Sequence, residues 1–297
     1  MSRRSRAVSP AGRRVLITGA ARGIGAGTAR RLHERGARVA LAGLEPELLS
    51  RVAADCGGAP ALLCDVRDRG QVETAVRAAA DQLGGLDVVV ANAGVAAQLP
   101  LLGGDPAIFE RTLEVNLFGV YHTLRAAAPH IAHDGGYALA VASVAAAVHL
   151  PLLGAYNASK AGVEALANSL RIELASSGAR VGVAYFAELD TDMTRRGFDT
   201  AAAREASFAG GPFRRVAPIE AGIDAIERGI ARRSRRVVAP GWVAAVLPVR
   251  MLAQRLIEPV ARHRLDRVLE LARQEHAPLT TAQPGRDGGP VHAQRDA

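Results

Sequence analysis

The sequence predicts an α/β fold: a parallel sheet of about seven strands with helices on both faces. Three observations support it. Short apolar runs alternate with helical segments from residue 13 to residue 240. These runs are nearly continuous, as in strands buried on both faces. The first run leads directly into a glycine-rich turn and a helix. Because no linker or internal repeat divides residues 13–240, we expect one domain.

The predicted elements follow one another in regular order. Apolar, β-branched runs predict strands, and apolar residues at helical spacing predict helices. The strands are 14–18, 38–44, 61–64, 87–91, 137–142, 180–186 and 236–239. The helices are 24–35, 46–56, 69–83, 106–131, 156–176 and 218–232. Because a helix separates most consecutive strands, we expect parallel pairing through crossovers.

Composition excludes several classes of protein. The formal charge is +8, but the basic residues cluster only at 3–14 and 228–236, without interleaved aromatic side chains, so we expect no nucleic acid partner. The two cysteines form no disulfide framework and have no metal-ligand spacing, which favours a reducing cytoplasm and no bound metal. No signal peptide is recognised. The apolar run 242–257 is too short and too interrupted to span a bilayer, so we expect a soluble protein.

One lysine stands out among the basic residues. Lys160 is the single lysine, and the other 36 of the 37 basic side chains are arginine. Tyr156 lies four residues before it, so the two side chains share one face of a helix. A nearby ammonium favours a phenolate and lowers the pKa of a tyrosine toward working pH. The pair therefore predicts acid–base chemistry, although the same spacing is common on solvated helices.

The glycine-rich turn has a specific physical use. It runs from Gly19 to Gly25, between the first strand and the first helix. Glycines at this place permit a tight turn and close approach of a pyrophosphate to the helix N-terminus, where free N–H groups favour anions. A glycine cluster alone is weak evidence, but this one has the required context.

In combination these residues resemble the short-chain dehydrogenases/reductases over roughly residues 13–240. The motifs, in chain order, are Thr18-Gly19-x-x-x-Gly23-Ile24-Gly25, Asn92-Ala93-Gly94, Asn116, Ser143 and Tyr156-x-x-x-Lys160. The resemblance implies a Rossmann-type fold with a doubly wound parallel sheet, an NAD(P) cofactor and hydride transfer between the cofactor and a secondary alcohol or ketone.

The resemblance also implies catalytic roles. Tyr156 would be the general acid or base, and Lys160 would lower its pKa and bind the nicotinamide ribose. Ser143 would hold the substrate oxygen as charge develops on it. Asn116 would support a proton relay from Lys160. A strand-end hydroxyl or an asparagine in a helix bend could each be purely structural, but the complete set favours catalysis.

The cofactor contacts implied by the resemblance come from several turns. They are Gly19, Gly23, Ile24, Gly25, Asp65, Val66, Asn92, Ala93, Gly94, Tyr156, Lys160 and Thr191. NAD-using relatives usually carry an aspartate where Gly43 stands, and NADP users often carry an arginine where Leu44 stands. Without the aspartate, Arg22 could bind the 2′-phosphate, which favours NADP. Glu45 favours NAD if it folds back toward the ribose.

Two features concern the substrate. Relatives usually have Pro-Gly after the sixth strand, but this chain has Phe186-Ala187, so the wall behind the nicotinamide is modified. The segments 149–153 and 193–213 would form the substrate side. The first is largely apolar and the second could be a mobile lid, so we expect a lipophilic alcohol or ketone.

The ends of the chain lie outside the domain. We expect residues 1–12 and 277–297 to be disordered, because they are polar and rich in charge, proline or glycine. Residues 241–276 predict a helical extension. A helix covering the active site or a neighbouring subunit is favoured over peripheral contact with an anionic membrane. The resemblance implies a homodimer or homotetramer, because relatives assemble by pairing the helices that carry Asn116 and Tyr156, and the alanines in 126–128 and 161–167 would permit such close packing.

Two other functions stay open on the sequence alone. The chain could be a non-catalytic NAD(P)-binding sensor, although a sensor has no need of Asn116, Ser143, Tyr156 and Lys160 together. It could also reduce carrier-bound 3-oxoacyl chains, with arginines meeting an acidic carrier. The sequence does not separate free from carrier-bound substrates, since fold alone cannot assign one.

Overall fold

The computed structural model describes residues 9–197, 200–206, 216–262, 265–275, 279–281 and 283. The strands are β1 (Arg14–Thr18), β2 (Arg38–Gly43), β3 (Ala61–Leu63), β4 (Val88–Ala91), β5 (Tyr137–Val141), β6 (Arg180–Phe186) and β7 (Arg236–Ala239). The helices of the domain are α1 (Gly23–Glu34), α2 (Pro46–Asp55), α3 (Arg69–Leu83), α4 (Pro106–Leu113), α5 (Gly119–Ile131), α6 (Gly154–Glu173), α7 (Asp192–Gly197), α8 (Ala201–Ala206) and α9 (Ile219–Arg232). The helices α10 (Val243–Val246), α11 (Arg250–Arg262) and α12 (Leu265–Gln274) follow β7.

The sheet confirms the predicted fold class. Its order is β3-β2-β1-β4-β5-β6-β7, and every pairing is parallel. In β1, Ile17 is opposite Leu41 on one side and Val90 on the other. The chain therefore winds outward in both directions from β1 and β4. In doubly wound sheets, a ligand-binding crevice opens at the carboxyl ends of the strands where the order reverses.

Apolar side chains bury both faces of the sheet. Along β1, Leu16 belongs to one apolar cluster, while Val15 and Ile17 belong to the cluster on the opposite face. All three are fully buried. Each such side chain contributes roughly 1.5–3 kcal/mol relative to leaving it in water. The carboxyl end of β1, which carries the glycine-rich turn, is thereby fixed on a rigid element.

The predicted helix 106–131 is interrupted. It consists of α4, a π turn at Glu114–Phe118, and α5. Asn116 lies in the π turn and is fully buried. Its side chain pairs with the backbone of Val95: Oδ1 accepts the Val95 N–H at 2.7 Å, and Nδ2 donates to the Val95 oxygen at 2.9 Å. This pairing fixes the π turn to the loop after β4, a tertiary contact that helical periodicity does not reveal.

The segment after β7 is helical and contacts the loop before α6 and the helix α8. Gln254 of α11 accepts the N–H of His149 at 2.8 Å. In α12, the buried Val268 belongs to a small apolar cluster with Leu152 and Ala202. Part of α11 presents apolar side chains to solvent. Within the described ranges, no helix combines the length and apolar character of a membrane span.

Four residues of the tail for which we expect disorder, 279–281 and 283, lie within the described structure. The other residues of 277–297 lie outside it, so the expectation for the tail as a whole stays a prediction. Thr280 and Gln283 are buried, with 4% and 8% of their surfaces exposed. Thr280 donates its N–H to the oxygen of Ala96 at 3.0 Å. Composition predicts disorder from a shortage of apolar residues, but polar groups that bond to another backbone can order a segment without them.

Candidate active site

The predicted site residues converge on one cavity at the carboxyl ends of the strands. The cavity is lined by Gly19, Arg22, Gly23, Ile24, Asp65, Val66, Asn92, Ala93, Gly94, Ser143, Tyr156, Lys160 and Thr191. Gly25 and Asn116 lie behind this lining. Three tail residues that sequence reasoning missed, Thr280, Thr281 and Gln283, line the cavity as well. No local motif marks these three residues.

Lys160 enters the cavity from α6 and is almost completely buried. Its surface is 4% exposed, and its Nζ donates to the oxygen of Val141 at 2.9 Å. Burial lowers the pKa of Lys160 to about 8. Nζ lies 5.5 Å from the centre of the Tyr156 ring, so the ammonium faces the phenol as the spacing predicts. An ammonium has three donors, and in the described part of the chain Val141 accepts one of them.

The structure differs from the expectation for the Tyr156 pKa. Burial raises the pKa of Tyr156, while the hydrogen bond to Ser143 lowers it to a lesser extent. The apolar surroundings of the phenol therefore outweigh the groups that favour a phenolate. The sequence shows that the ammonium is near but does not show how deeply the phenol is buried.

Ser143 lies directly after β5, facing Tyr156. Its Oγ donates to the oxygen of Phe186 at 3.1 Å and accepts the N–H of Ala145 at 3.1 Å. The carbonyl of Phe186, the last residue of β6, thus helps to orient the serine hydroxyl. Any residue at this position would offer the same backbone oxygen, so this contact does not depend on the Phe186 side chain.

Asn116 lies behind the cavity lining and contacts α6 as well as the loop after β4. Besides its two bonds to Val95, Nδ2 lies 3.2 Å from Oγ of Ser159 on α6. A Cβ added to Gly94 would lie 3.3 Å from Oδ1 of Asn116 and 3.5 Å from Nζ of Lys160. Only a glycine at position 94 leaves this space between the amide and the ammonium open.

The glycine-rich turn is fixed against the loop after β4. Asn92 donates through Nδ2 to the oxygens of Thr18 at 3.1 Å and Gly19 at 3.2 Å. Gly19 and Gly23 have φ of +66° and +56°, a region that other residues rarely adopt. Asn92 was expected near the adenosine ribose. It lines the cavity, but its amide also holds the turn in shape.

Charged side chains surround the end of the cavity that lies near Gly43, away from Tyr156. Arg22 pairs with Glu45 at 3.1 Å and donates through Nη2 to Oγ1 of Thr281 at 2.7 Å. Asp65 pairs with Arg67, with Nη2 and Oδ2 2.5 Å apart. Glu45 therefore folds back toward Arg22.

The residues present fit a dinucleotide. Lys160 offers buried donors for ribose hydroxyls, and the N-terminus of α1 offers backbone N–H groups for phosphates. Oδ1 of Asn157 is buried without a partner in the described structure, and this asparagine lines the cavity. A buried acceptor without a partner costs about 1–3 kcal/mol, so a bound hydroxyl or amide at this place would be stabilising.

Replacing Lys160 with methionine is expected to remove a rise of stability with pH. An unfolded lysine has a pKa of about 10.4, whereas Lys160 in the fold has a pKa of about 8. Between these values the unfolded chain binds more protons, so the free energy of unfolding rises with pH, by at most about 1.4 kcal/mol per unit. Urea unfolding of the unchanged protein and the variant without nucleotide, from pH 7.5 to 9.5, measures this rise in the free energy of unfolding. If the two free energies differ by the same amount at every pH, the lowered pKa of Lys160 is contradicted.

Known proteins are similar to this chain in sequence and in architecture. A family model described as short chain dehydrogenase matches residues 13–202. Glycine betaine reductase ATRR of Emericella nidulans is 35% identical over 68% of the chain, which covers 17% of that longer protein. The 2-(R)-hydroxypropyl-CoM dehydrogenase of Xanthobacter autotrophicus is 32% identical over 71% of the chain and 88% of its own length. A solved structure assigned as a short-chain alcohol dehydrogenase of Sinorhizobium meliloti 1021 superposes with a TM-score of 0.70, at 31% identity, over 79% of this chain and 97% of its own.

Proposed function

Because the chain belongs to the short-chain dehydrogenase/reductase family, we propose that it interconverts a secondary alcohol and a ketone. It is an oxidoreductase, and the family implies NAD(P) as its cofactor. The observation that carries the proposal is the convergence of Ser143, Tyr156 and Lys160 in one buried cavity with the glycine-rich turn. A relative whose name describes the dehydrogenation of a hydroxypropyl group adds support.

Each residue has a distinct part in the proposed mechanism. When bound, an NAD(P) cofactor would supply or accept the hydride. Ser143, whose hydroxyl bonds to the phenol, orients the substrate oxygen beside Tyr156. Tyr156 then gives a proton to that oxygen in reduction or takes one in oxidation. The Lys160 ammonium stabilises the phenolate form and binds ribose, and Asn116 supports the relay that returns the proton.

The substrate side of the cavity favours a lipophilic molecule. Its lining there is largely apolar and comes from the segment between β5 and α6 and from the start of α7: Val144, Val148, Leu150, Leu153 and Met193. Apolar walls of this kind bind carbon skeletons and leave orientation to a few polar groups.

NADP is the proposed cofactor, with Glu45 as the residue that opposes it. Gly43 provides no carboxylate at the end of β2, and Arg22 lines the same end of the cavity. Glu45 places a carboxylate beside the Arg22 guanidinium, and so offsets the positive charge that would bind a 2′-phosphate. Replacing Glu45 with glutamine should therefore raise the ratio of kcat/KM for NADP over NAD, by roughly tenfold if one charge contact of about 1.4 kcal/mol is involved.

Steady-state kinetics with NADP and with NAD measure the cofactor preference of the unchanged enzyme and of the Glu45→Gln variant. A lower KM for NAD in the unchanged enzyme would contradict the proposal of NADP. An unchanged ratio in the Glu45→Gln variant would exclude Glu45 as the discriminating residue. Glu47, in the first turn of α2, provides a matched control, because Glu47→Gln removes the same charge from a side chain that does not line the cavity.

Assembly and location are proposed on separate grounds. Phe118 and Tyr121 are 51% and 43% exposed beside α5, and Ile172 of α6 is 79% exposed. Burying these side chains between copies favours a homodimer or homotetramer.

Both cysteines are free and buried, which favours a reducing compartment such as the cytoplasm.

The proposed function is tested by fluorescence titration with NADPH and NADH, followed by a panel of aliphatic, steroid and sugar alcohols and their ketones. Binding with turnover of a lipophilic member supports the proposal. Binding without turnover on the whole panel favours the sensor function, and turnover of sugars alone contradicts a lipophilic substrate. A 3-oxoacyl chain, offered free and on an acyl carrier, separates the carrier-dependent alternative.

A further inference from the structure

A segment after α12 is attached to the cavity at two points, and the first is Ala96. Thr280 donates its N–H to the Ala96 oxygen at 3.0 Å. Its Oγ1 accepts the Ala96 N–H, also at 3.0 Å. Thr280 thus satisfies both backbone groups of one residue in the loop that follows β4. The pair is buried, with 4% of Thr280 and 1% of Ala96 exposed.

The second attachment is on the glycine-rich turn. Thr281 accepts a hydrogen bond from Nη2 of Arg22 at 2.7 Å. Arg22 immediately precedes α1, whereas Ala96 follows β4. Because β1 and β4 are neighbours in the sheet, the two attachments lie on both sides of the reversal point. The described tail residues 279–281 and 283 therefore cross the carboxyl edge at the place where dinucleotides bind in doubly wound folds.

The tail adds a wall to the cavity and does not divide it. One continuous cavity extends from Glu45 and Asp65 to Tyr156 and Met193 while Thr280, Thr281 and Gln283 form part of its lining. A segment that occupied the place of the nucleotide would instead separate the two ends.

The base of the tail is held by separate contacts. Glu275, directly after α12, accepts the N–H groups of Ala201 at 2.6 Å and Ala202 at 3.0 Å at the start of α8. Leu279 packs against the apolar cluster of the sheet. The chain before Thr280 is therefore held in place, and the attachments of Thr280 and Thr281 to Ala96 and Arg22 are separate from these contacts.

We propose that the tail around Thr280, Thr281 and Gln283 is a strap that closes over the bound dinucleotide and limits the rate at which it enters and leaves. This rests on the proposed NAD(P)-dependent function. Thr281 accepts from Arg22 through its oxygen, so its own proton can be donated to a bound phosphate or ribose oxygen. The strap therefore both encloses the nucleotide and binds it.

The test is stopped-flow fluorescence with NADPH and NADH on the full chain. In the double variant Thr280→Val, Thr281→Val, the shape is kept and both hydroxyls are lost. We expect the dissociation rate to rise about tenfold, since two hydrogen bonds of ordinary strength are removed, with faster association as well. Thr74→Val is the matched control, because Thr74 is exposed on α3 and does not line the cavity.

Hydrogen exchange at the Thr280 amide is the second measurement. Nucleotide should slow this exchange in the unchanged protein, because the strap closes over it. Unchanged dissociation rates in the double variant, tighter binding by it, or faster exchange with nucleotide would each overturn the strap. If the unchanged protein binds neither nucleotide in titration, the proposed function fails first. If the unchanged protein binds nucleotide and turns over substrate, but the double variant dissociates at the same rate, the strap is rejected and the proposed function stands.

Discussion

Replacing Tyr156 with phenylalanine is expected to lower kcat by about 10²–10⁴-fold while nucleotide affinity stays within about twofold, because general acid–base catalysis contributes that much. The variant keeps the ring that fills the cavity beside Lys160 and removes only the hydroxyl that bonds to Ser143. Since the pKa of Tyr156 is raised by burial, the phenol is protonated through the neutral range, and reduction should require less alkaline conditions than oxidation. Steady-state rates in both directions from pH 6 to 10 measure both effects.

Tyr121→Phe is the control for this experiment. Tyr121, on α5, does not line the cavity, and phenylalanine keeps the ring that would be buried between copies, so loss of its hydroxyl should leave kcat unchanged. Near-normal turnover in Tyr156→Phe would contradict the acid–base role and leave the fold assignment intact. Loss of nucleotide binding together with turnover would point to a collapsed cavity instead of a missing proton donor.

Replacing Gly25 with alanine is expected to disable the nucleotide site and to destabilise the fold. The added Cβ would meet the backbone oxygen of Gly19 and would lie 2.7 Å from Nδ2 of Asn92 and 2.9 Å from the carbonyl carbon of Gly19. These atoms form the turn itself, so relief requires the turn to move away from Asn92. We expect a loss of about 1–3 kcal/mol in the free energy of unfolding and at least about tenfold weaker nucleotide binding.

Gly27→Ala, on the same helix, separates this effect from a general glycine effect. There the added Cβ meets the Cδ1 end of Ile223 and lies 3.2 Å from its Cγ1. The end of a flexible side chain can move, and alanine favours helix over glycine by about 1 kcal/mol. Gly27→Ala should therefore bind nucleotide normally in the fluorescence titration. Equal losses in both variants would show that any added methyl group on α1 is harmful and that the contact with Gly19 is not special.

The order of the elements was predictable from sequence because local patterns determine it. The strand at residues 14–18 matched the bounds of β1, and the strand at 180–186 matched β6. The cavity residues were found because the family motifs mark the carboxyl ends of these strands. The helix at 106–131 was predicted without its π turn, since that interruption depends on the distant backbone of Val95.

The remaining differences also arise from contacts between distant parts of the chain. Arg22 and Thr281 are 259 positions apart, so no local pattern of charge or hydrophobicity could place the tail in the cavity. The depth of burial that raises the pKa of Tyr156 is likewise a property of the packed domain. Local sequence identifies which groups react, whereas the fold determines their pKa values and what encloses them.

The position of the strap has a consequence for biosynthesis. Translation produces the glycine-rich turn first and Thr280–Gln283 after every other described segment. A nascent chain can therefore form the sheet and bring Tyr156 and Lys160 together while the ribosome still holds the strap away from Arg22. During that interval the crevice is open, and nucleotide can enter before the last segment closes over it.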